Sequence, residues 1–348
     1  MHSMELPRRV IVGRGVIGIV GKTCESLGLS GVALVLTGPE TYELAARAVI
    51  DSLEDAGFDT EYLKIGEPRL EVLEQAEAKV ENLKPTAVLG VGGGRVIDAA
   101  KIVAGKRAIP YLSVPTAASH DGIASPQASI KCLGKPFSVR LTAPLAILAD
   151  IEVISRSPYR LTASGCGDII SKFTAVRDWW LAHHLRNEYY GDYAANLALM
   201  SARIASRRSD TIRAGSDEGI GIVVEALISC GVAMSIAGSS RPCSGSEHLF
   251  SHALDRVAPK PALHGEQCGV GTIMMAYLHR INWKRIRDVL KRIGAPTTAN
   301  ELGVEPDHVV EALTLAHTIR PERYTILGER GLSRETALKL ARSTGVIG

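Results

Sequence analysis

Val88-Leu89-Gly90-Val91-Gly92-Gly93-Gly94-Arg95-Val96-Ile97-Asp98-Ala99-Ala100-Lys101 carries an apolar run into three consecutive glycines and out into an amphipathic segment. That order reads as strand, tight turn and helix. Gly92, Gly93 and Gly94 remove three side chains from the turn, so backbone can approach a ligand closely. A helix opening there aims free N–H groups and its positive dipole end at the same spot, which suits a diphosphate. The spacing matches neither G-x-G-x-x-G nor G-x-x-x-x-G-K-S/T, and a turn that only lets strand and helix pack would use the same glycines.

Outward from this turn, the first half alternates short apolar runs with helical patterns. Strands are expected at Val10–Val12, Val32–Thr37, Glu61–Ile65, Ala87–Val91, Tyr111–Val114 and Leu145–Asp150, with helices at Val16–Leu27, Glu40–Ala56, Leu70–Leu83 and Val96–Ala104. This rhythm predicts a mostly parallel sheet covered on both faces, with ligands at the carboxyl ends of its strands. Pro115 to Ala128 is a long, small-residue loop directly after a buried strand, a frequent setting for function, and two short strands, Ser129–Cys132 and Ser138–Leu141, follow it.

Beyond about residue 155 the strand pattern fades. Ile169, Phe173, Val176 and Trp180 recur at helical spacing, and Gly219–Ala237 predicts a long buried helix. Cys243–Val257 and Leu263–Leu278 read as helices separated by Pro259 and Pro261. The expected fold class is therefore α/β, with a Rossmann-like parallel-sheet domain at residues 1–155 and an all-α domain at residues 156–348.

Composition narrows the function. With 348 residues there is length for two cores, and a net charge of +3 is too small to argue for nucleic acid. Arg207-Arg208 and Lys284-Arg285 read as solvated faces. No uninterrupted apolar stretch of about eighteen residues appears, so the chain is not expected to be membrane-embedded. The first nine residues lack the apolar core of a signal peptide. None of the six cysteines is in C-x-x-C spacing, which disfavours a disulfide framework and a thiolate zinc site and fits a reducing, cytoplasmic setting.

The helical half holds Glu247-His248-Leu249-Phe250-Ser251-His252, then His264 after a proline break, and upstream Ser164-Gly165-Cys166-Gly167-Asp168. His248 and His252, four apart, share a helix face. His264 opens the next helix, and Asp168 is expected to open an earlier one after two glycines. Two histidines and a carboxylate with an open position form a catalytic zinc set. His2, His183, His184, His279, His308 and His317 read as core or surface residues; His120 could line a pocket.

These segments, together with Gly-Gly-Gly-Arg-Val-Ile-Asp, Pro-Thr-Ala-Ala-Ser-His-Asp-Gly and Leu-His-Gly-Glu, resemble the archaeal sn-glycerol-1-phosphate dehydrogenases of the glycerol dehydrogenase and dehydroquinate synthase-like superfamily. The resemblance runs in order along nearly the whole chain. It implies a first domain that binds NAD(H) or NADP(H) through Gly92, Gly93, Gly94, Arg95, Val96, Ile97 and Asp98 with Thr116, Ala117, Ala118, Ser119 and Ser125. It implies a second domain that binds Zn2+ through Asp168, His248 and His264. Asp121, His252 and Asp168 fall at substrate positions, with Asp121 or His252 assisting proton transfer. The implied reaction reduces dihydroxyacetone phosphate to sn-glycerol 1-phosphate for ether-lipid backbones, in a cleft between the domains. The expected partner is this small-molecule substrate, with no nucleic acid, and a homo-oligomer is expected. Leu36-Thr37-Gly38-Pro39 carries no carboxylate after the second strand to repel a 2′-phosphate, so either cofactor is compatible. Rival readings are a polyol dehydrogenase on unphosphorylated glycerol, a dehydroquinate synthase, whose Lys-Thr-Gly-Val-Asn segment has no counterpart here, and a nucleotide-binding sensor, which would have a broken metal set.

Overall fold

The computed structural model describes residues 4–66, 70–130 and 137–348. The chain separates into two compact units, residues 4–158 and 159–348. In the first, the strands are β1 Arg9–Gly13, β2 Val32–Thr37, β3 Asp59–Lys64, β4 Ala87–Gly92, β5 Tyr111–Pro115, β6 Gln127–Ile130, β7 Phe137–Arg140 and β8 Ala146–Asp150. Six of them form one sheet in the order β1-β8-β5-β4-β2-β3, every neighbouring pair parallel. β6 and β7 make a separate antiparallel pair; the expected strand through Cys132 runs onto residues 131–136, outside the described residues.

Burial follows position in the sheet. β4, β5 and β8 are buried throughout, whereas the edge strands β1 and β3 hold only exposed and half-buried residues. Side chains of one strand point alternately to two cores. Leu89 and Val91 pack with Val20, Cys24, Val49 and Leu53 on one face. Val88 packs with Ile97, Ala100 and Val103 on the other. Gly90 is required there, because a Cβ would lie 2.9 Å from Ala100 Cβ and the helix Gly94–Gly105 could not sit against β4.

The second unit is helical throughout its described elements. Its longest helix, Asp217–Ala237, is capped by Ser216 and ends at left-handed Gly238. By length and composition alone this helix could cross a membrane, but 72% of its most apolar window is buried within the protein, so it is a core helix. It packs on Asp192–Arg207, and a cluster around Trp179, Ala198, Cys230 and Met234 fills the space between. The expected periodic face from Ile169 to Trp180 is divided instead: one helix ends at Ile170 and another begins at Lys172, which buries Trp179 and leaves Trp180 51% exposed.

Candidate active site

Two groups of candidate residues form, one in each unit. In the first unit, β2 leads outward to β3 while β4 leads the opposite way to β5, so the sheet's topological switch point lies between β2 and β4. The register pairs Thr37 with Val91 and Gly92 with Pro115, which places Gly38, the glycine turn and Thr116 side by side. Thr116 N donates to Gly92 O at 3.0 Å. The three glycines have different surroundings. A Cβ on Gly92 would lie 2.8 Å from Val96 Cβ, and one on Gly94 would lie 1.9 Å from His120 Nε2, whereas one on Gly93 would meet nothing within 4 Å. Gly93 is therefore the open side of the turn, and Gly94 admits an imidazole. His120 Nδ1 accepts from Gly122 N at 2.9 Å, which leaves the ring proton on Nε2, facing Gly94.

Of the expected cofactor residues, Val96, Ile97, Asp98, Thr116, Ala117, Ala118 and Ser125 are buried and Arg95 is exposed. Ser125 Oγ is spent on Gln127, accepting from its N–H at 3.3 Å. Lys101, which the sequence reading gave no role, is fully buried. It donates to Gly122 O at 2.8 Å and Gln127 O at 2.6 Å and lies 3.4 Å from Asp98 Oδ1. Burial pulls this ammonium below its usual range, while Asp98 and Asp121 act in the opposite sense. One lysine thus fastens the 116–128 loop to the helix that opens at the glycine turn.

In the second unit, Asp168, His248, His252 and His264 come together from the helices Tyr159–Ile170, Ser246–Val257 and His264–Leu278. Asp168 lies in the last turn of its helix, not the first as expected from the preceding glycines. Those glycines are helical because another helix needs their bare backbone. A Cβ on Gly167 would meet Gly265 O at 2.2 Å, and one on Gly265 would meet Ser164 O at 1.9 Å. Glycine against glycine lets the two helices touch, and each neighbouring residue in sequence, Asp168 and His264, is a candidate ligand. Arg160 grips Glu266 with two hydrogen bonds of 2.6 and 2.7 Å and ties the same two helices near their starts.

His248 Nε2 is 3.5 Å from Asp168 Oδ1. Two ligands about 2.1 Å from a tetrahedral zinc stand roughly 3.4 Å apart, so this pair has the separation a shared ion requires. His248 Nδ1 lies 2.8 Å from Glu247 Oε1, and Glu247 also accepts from Gly245 N and Thr174 Oγ1. A carboxylate holding Nδ1–H fixes the tautomer and leaves the Nε2 lone pair for a metal. His264 Nδ1 is similarly 3.2 Å from Ser251 Oγ. His264 Nε2 lies 3.5 Å from Cys268 Sγ, and donor atoms of His248, His264 and Cys268 all fall within 4.8 Å of one another. The donor set fits a divalent ion, with Cys268 an addition to the expected residues.

Electrostatics favour positive charge at this spot. Burial alone would raise the Asp168 carboxyl, but Lys172, His248 and His264 hold it well below the ordinary carboxylate range. Burial opposes charge on His248, yet Cys268, Asp168 and Glu247 bring the ring well above its usual value. His252 differs: burial pulls it below its ordinary value, and among the described residues its buried Nδ1 has no hydrogen-bond partner, lying 3.9 Å from Asp255 Oδ2. It stacks on His264 at 5.6 Å between ring centroids. The signals that could have found the missed residues are short-range: Cys268 and Lys172 each follow a candidate ligand by four positions, and Glu247 precedes one.

The iron-containing alcohol dehydrogenase family profile matches residues 11–158. The glycerol-1-phosphate dehydrogenase (NAD(P)+) of Thermococcus kodakarensis is 54% identical over 350 aligned positions, covering 100% of this chain and 99% of that protein. The Methanosarcina mazei protein of the same name is 56% identical, with 99% and 96% covered. Among solved structures, glycerol dehydrogenase from Schizosaccharomyces pombe has a TM-score of 0.81 at 20% identity, covering 99% of this chain and 90% of its own. NADH-dependent butanol dehydrogenase A from Thermotoga maritima has a TM-score of 0.75 at 21%, with 98% and 100% covered. These structures share the dehydroquinate synthase-like fold, and full-length identity above half with the archaeal enzymes leaves one conclusion: the chain belongs to the glycerol-1-phosphate dehydrogenase family.

Proposed function

We propose that the chain is a zinc-dependent sn-glycerol-1-phosphate dehydrogenase that uses NADH or NADPH to reduce dihydroxyacetone phosphate, and that its product enters archaeal ether-lipid backbones. The observation that carries the reading is the convergence of Asp168, His248 and His264, with Glu247 orienting His248 through Nδ1. Asp168, His248 and His264 are the proposed ligands. When bound, zinc stabilises negative charge on a carbonyl oxygen and the nicotinamide supplies hydride.

The rest falls to this chain's own groups. The glycine turn, with Thr116 to Ser119 beside it, is the proposed seat of the cofactor diphosphate. His252, neutral and with an unsatisfied Nδ1, is the proposed partner of a substrate hydroxyl and can pass a proton to an oxygen; Asp121 is the alternative relay. Arg320 is half-buried, and its charge is among those felt at His252. We assign it the substrate phosphate, the feature that separates this reading from a polyol dehydrogenase.

Initial rates with dihydroxyacetone phosphate against dihydroxyacetone, followed by the chirality of the product, test the reaction. Arg320→Ala should raise KM for the phosphorylated substrate only. His264→Ala should lose both metal and turnover on elemental analysis and assay, whereas His252→Ala should keep the metal and lose turnover. Equal efficiency on both substrates, or full zinc in His264→Ala, would overturn the corresponding assignment.

A further inference from the structure

A recess lies within the helical unit and uses none of the candidate active-site side chains. It has a volume of about 790 Å³, within the range of small-molecule pockets. Its apolar wall includes Ile170, Phe173, Val176, Leu199, Ile286 and Val289, buried or half-buried. Around it stand Arg177, Arg203, Arg207 and Arg285, contributed by three helices, and no Asp or Glu is among the lining residues. All four arginines are exposed, and among the described residues none of their guanidinium groups has a carboxylate or other hydrogen-bond partner. Two other arginines of this unit are paired, Arg208 with Glu218 and Arg186 with Glu329.

Both halves of this composition constrain the occupant. A free inorganic anion would use the arginines and leave the apolar wall wet. A neutral apolar molecule would fill the wall and leave four like charges unanswered. A second copy meeting the same patch across a two-fold axis would set arginine against arginine. We propose that the groove is a binding site for an anionic amphiphile: a single hydrocarbon chain ending in a phosphate monoester or diphosphate. The chain would lie against Phe173, Leu199 and Ile286, and the head would take paired N–H donors from the guanidinium groups. This inference does not depend on the reaction proposed above.

Trp180 lines the groove and is half exposed, so its emission reports occupancy. Titration of the full chain with n-decyl phosphate, below its micelle concentration, should give saturable quenching that is absent in Trp180→Phe. Inorganic phosphate and n-decanol should each bind at least tenfold more weakly. Arg203→Glu/Arg207→Glu, on an exposed helix face, should weaken decyl phosphate at least tenfold, with circular dichroism and thermal midpoint unchanged. Arg203→Lys/Arg207→Lys, which keeps charge and loses the fork, should fall between the two. The proposal is overturned if decyl phosphate binds the Glu variant as well as the parent or if phosphate alone binds as tightly. It is equally overturned if only vesicles of phosphatidylglycerol bind, or if sedimentation shows the Glu variant dissociating an assembly that excludes decyl phosphate.

Discussion

Replacing Gly265 by alanine adds one methyl group at the helix contact that supports the candidate metal ligands. Its Cβ would fall 1.9 Å from Ser164 O, 2.6 Å from Ser164 C and 2.8 Å from Ser164 Oγ, and the obstacle is backbone that cannot rotate away. Ordinary contact begins near 3.4 Å, so the helices Tyr159–Ile170 and His264–Leu278 would have to separate locally by about 1.5 Å. Overpacking of this kind costs about 1–3 kcal/mol in stability. The proposed metal site should suffer as well. Ligand distances tolerate only about 0.2 Å, and His264 and Asp168 sit beside the contact on opposite helices, so zinc affinity should fall at least tenfold. Competition with a chromophoric chelator measures the affinity, and a urea midpoint measures the stability. The reasoning predicts that metal affinity and stability fall together. An alanine variant with parental zinc affinity and turnover would refute it, and with it the claim that this glycine contact sets the ligand geometry.

Lys101→Met should raise KM for either cofactor and cost roughly 3–5 kcal/mol, because two loop carbonyls lose a buried cationic donor; unchanged KM and urea midpoint would show that the lysine does not hold the loop. Gly38→Asp should shift preference toward NADH by about 1–3 kcal/mol, the scale of close charge coupling at a binding site. Gly38 has φ −89°, which any residue adopts, and its Cβ would come within 3.1 Å of the Thr41 hydroxyl, a side chain able to move. An unchanged ratio of catalytic efficiencies for the two cofactors would place the adenosine ribose elsewhere. Burial pushes the thiols of Cys24 and Cys166 up from 9.0 to about 12. Folded protein therefore holds protons that unfolded protein releases, so this contribution is complete below pH 9 and is lost as pH rises towards 12. At pH 8 both thiols should resist Ellman's reagent in native protein and react in urea; rapid native labelling would contradict their burial.

The glycine turn was legible because strand, turn and helix each leave a local mark, and β4 begins and ends within a residue of its expectation. The convergence of Asp168, His248 and His264 was legible from helical spacing and a family resemblance. What was not legible depends on pairing between distant elements. Gly167 and Gly265 look like helix breakers one at a time, and become a contact only when opposed. Lys101 looks like one more charge on an amphipathic helix until the 116–128 loop closes over it. Arg207 and Arg285 lie in two clusters far apart in sequence that read as solvated faces, and folding brings them to one groove.

The ion pair between Lys172 and Asp168 has a bearing on how the protein would handle the proposed metal. Both side chains are wholly buried, with Lys172 Nζ 2.7 Å from Asp168 Oδ1 and 3.2 Å from Cys243 O. A buried carboxylate whose only counter-charge was the ion would become a costly orphan each time the ion left. Here the counter-charge is covalently part of the chain. The helical unit would not need the proposed cation as a keystone, in contrast to small domains that unfold when stripped. If the proposed ion is bound there, its departure would cost reactivity rather than architecture, and the empty protein would be a reserve that fresh metal could recharge.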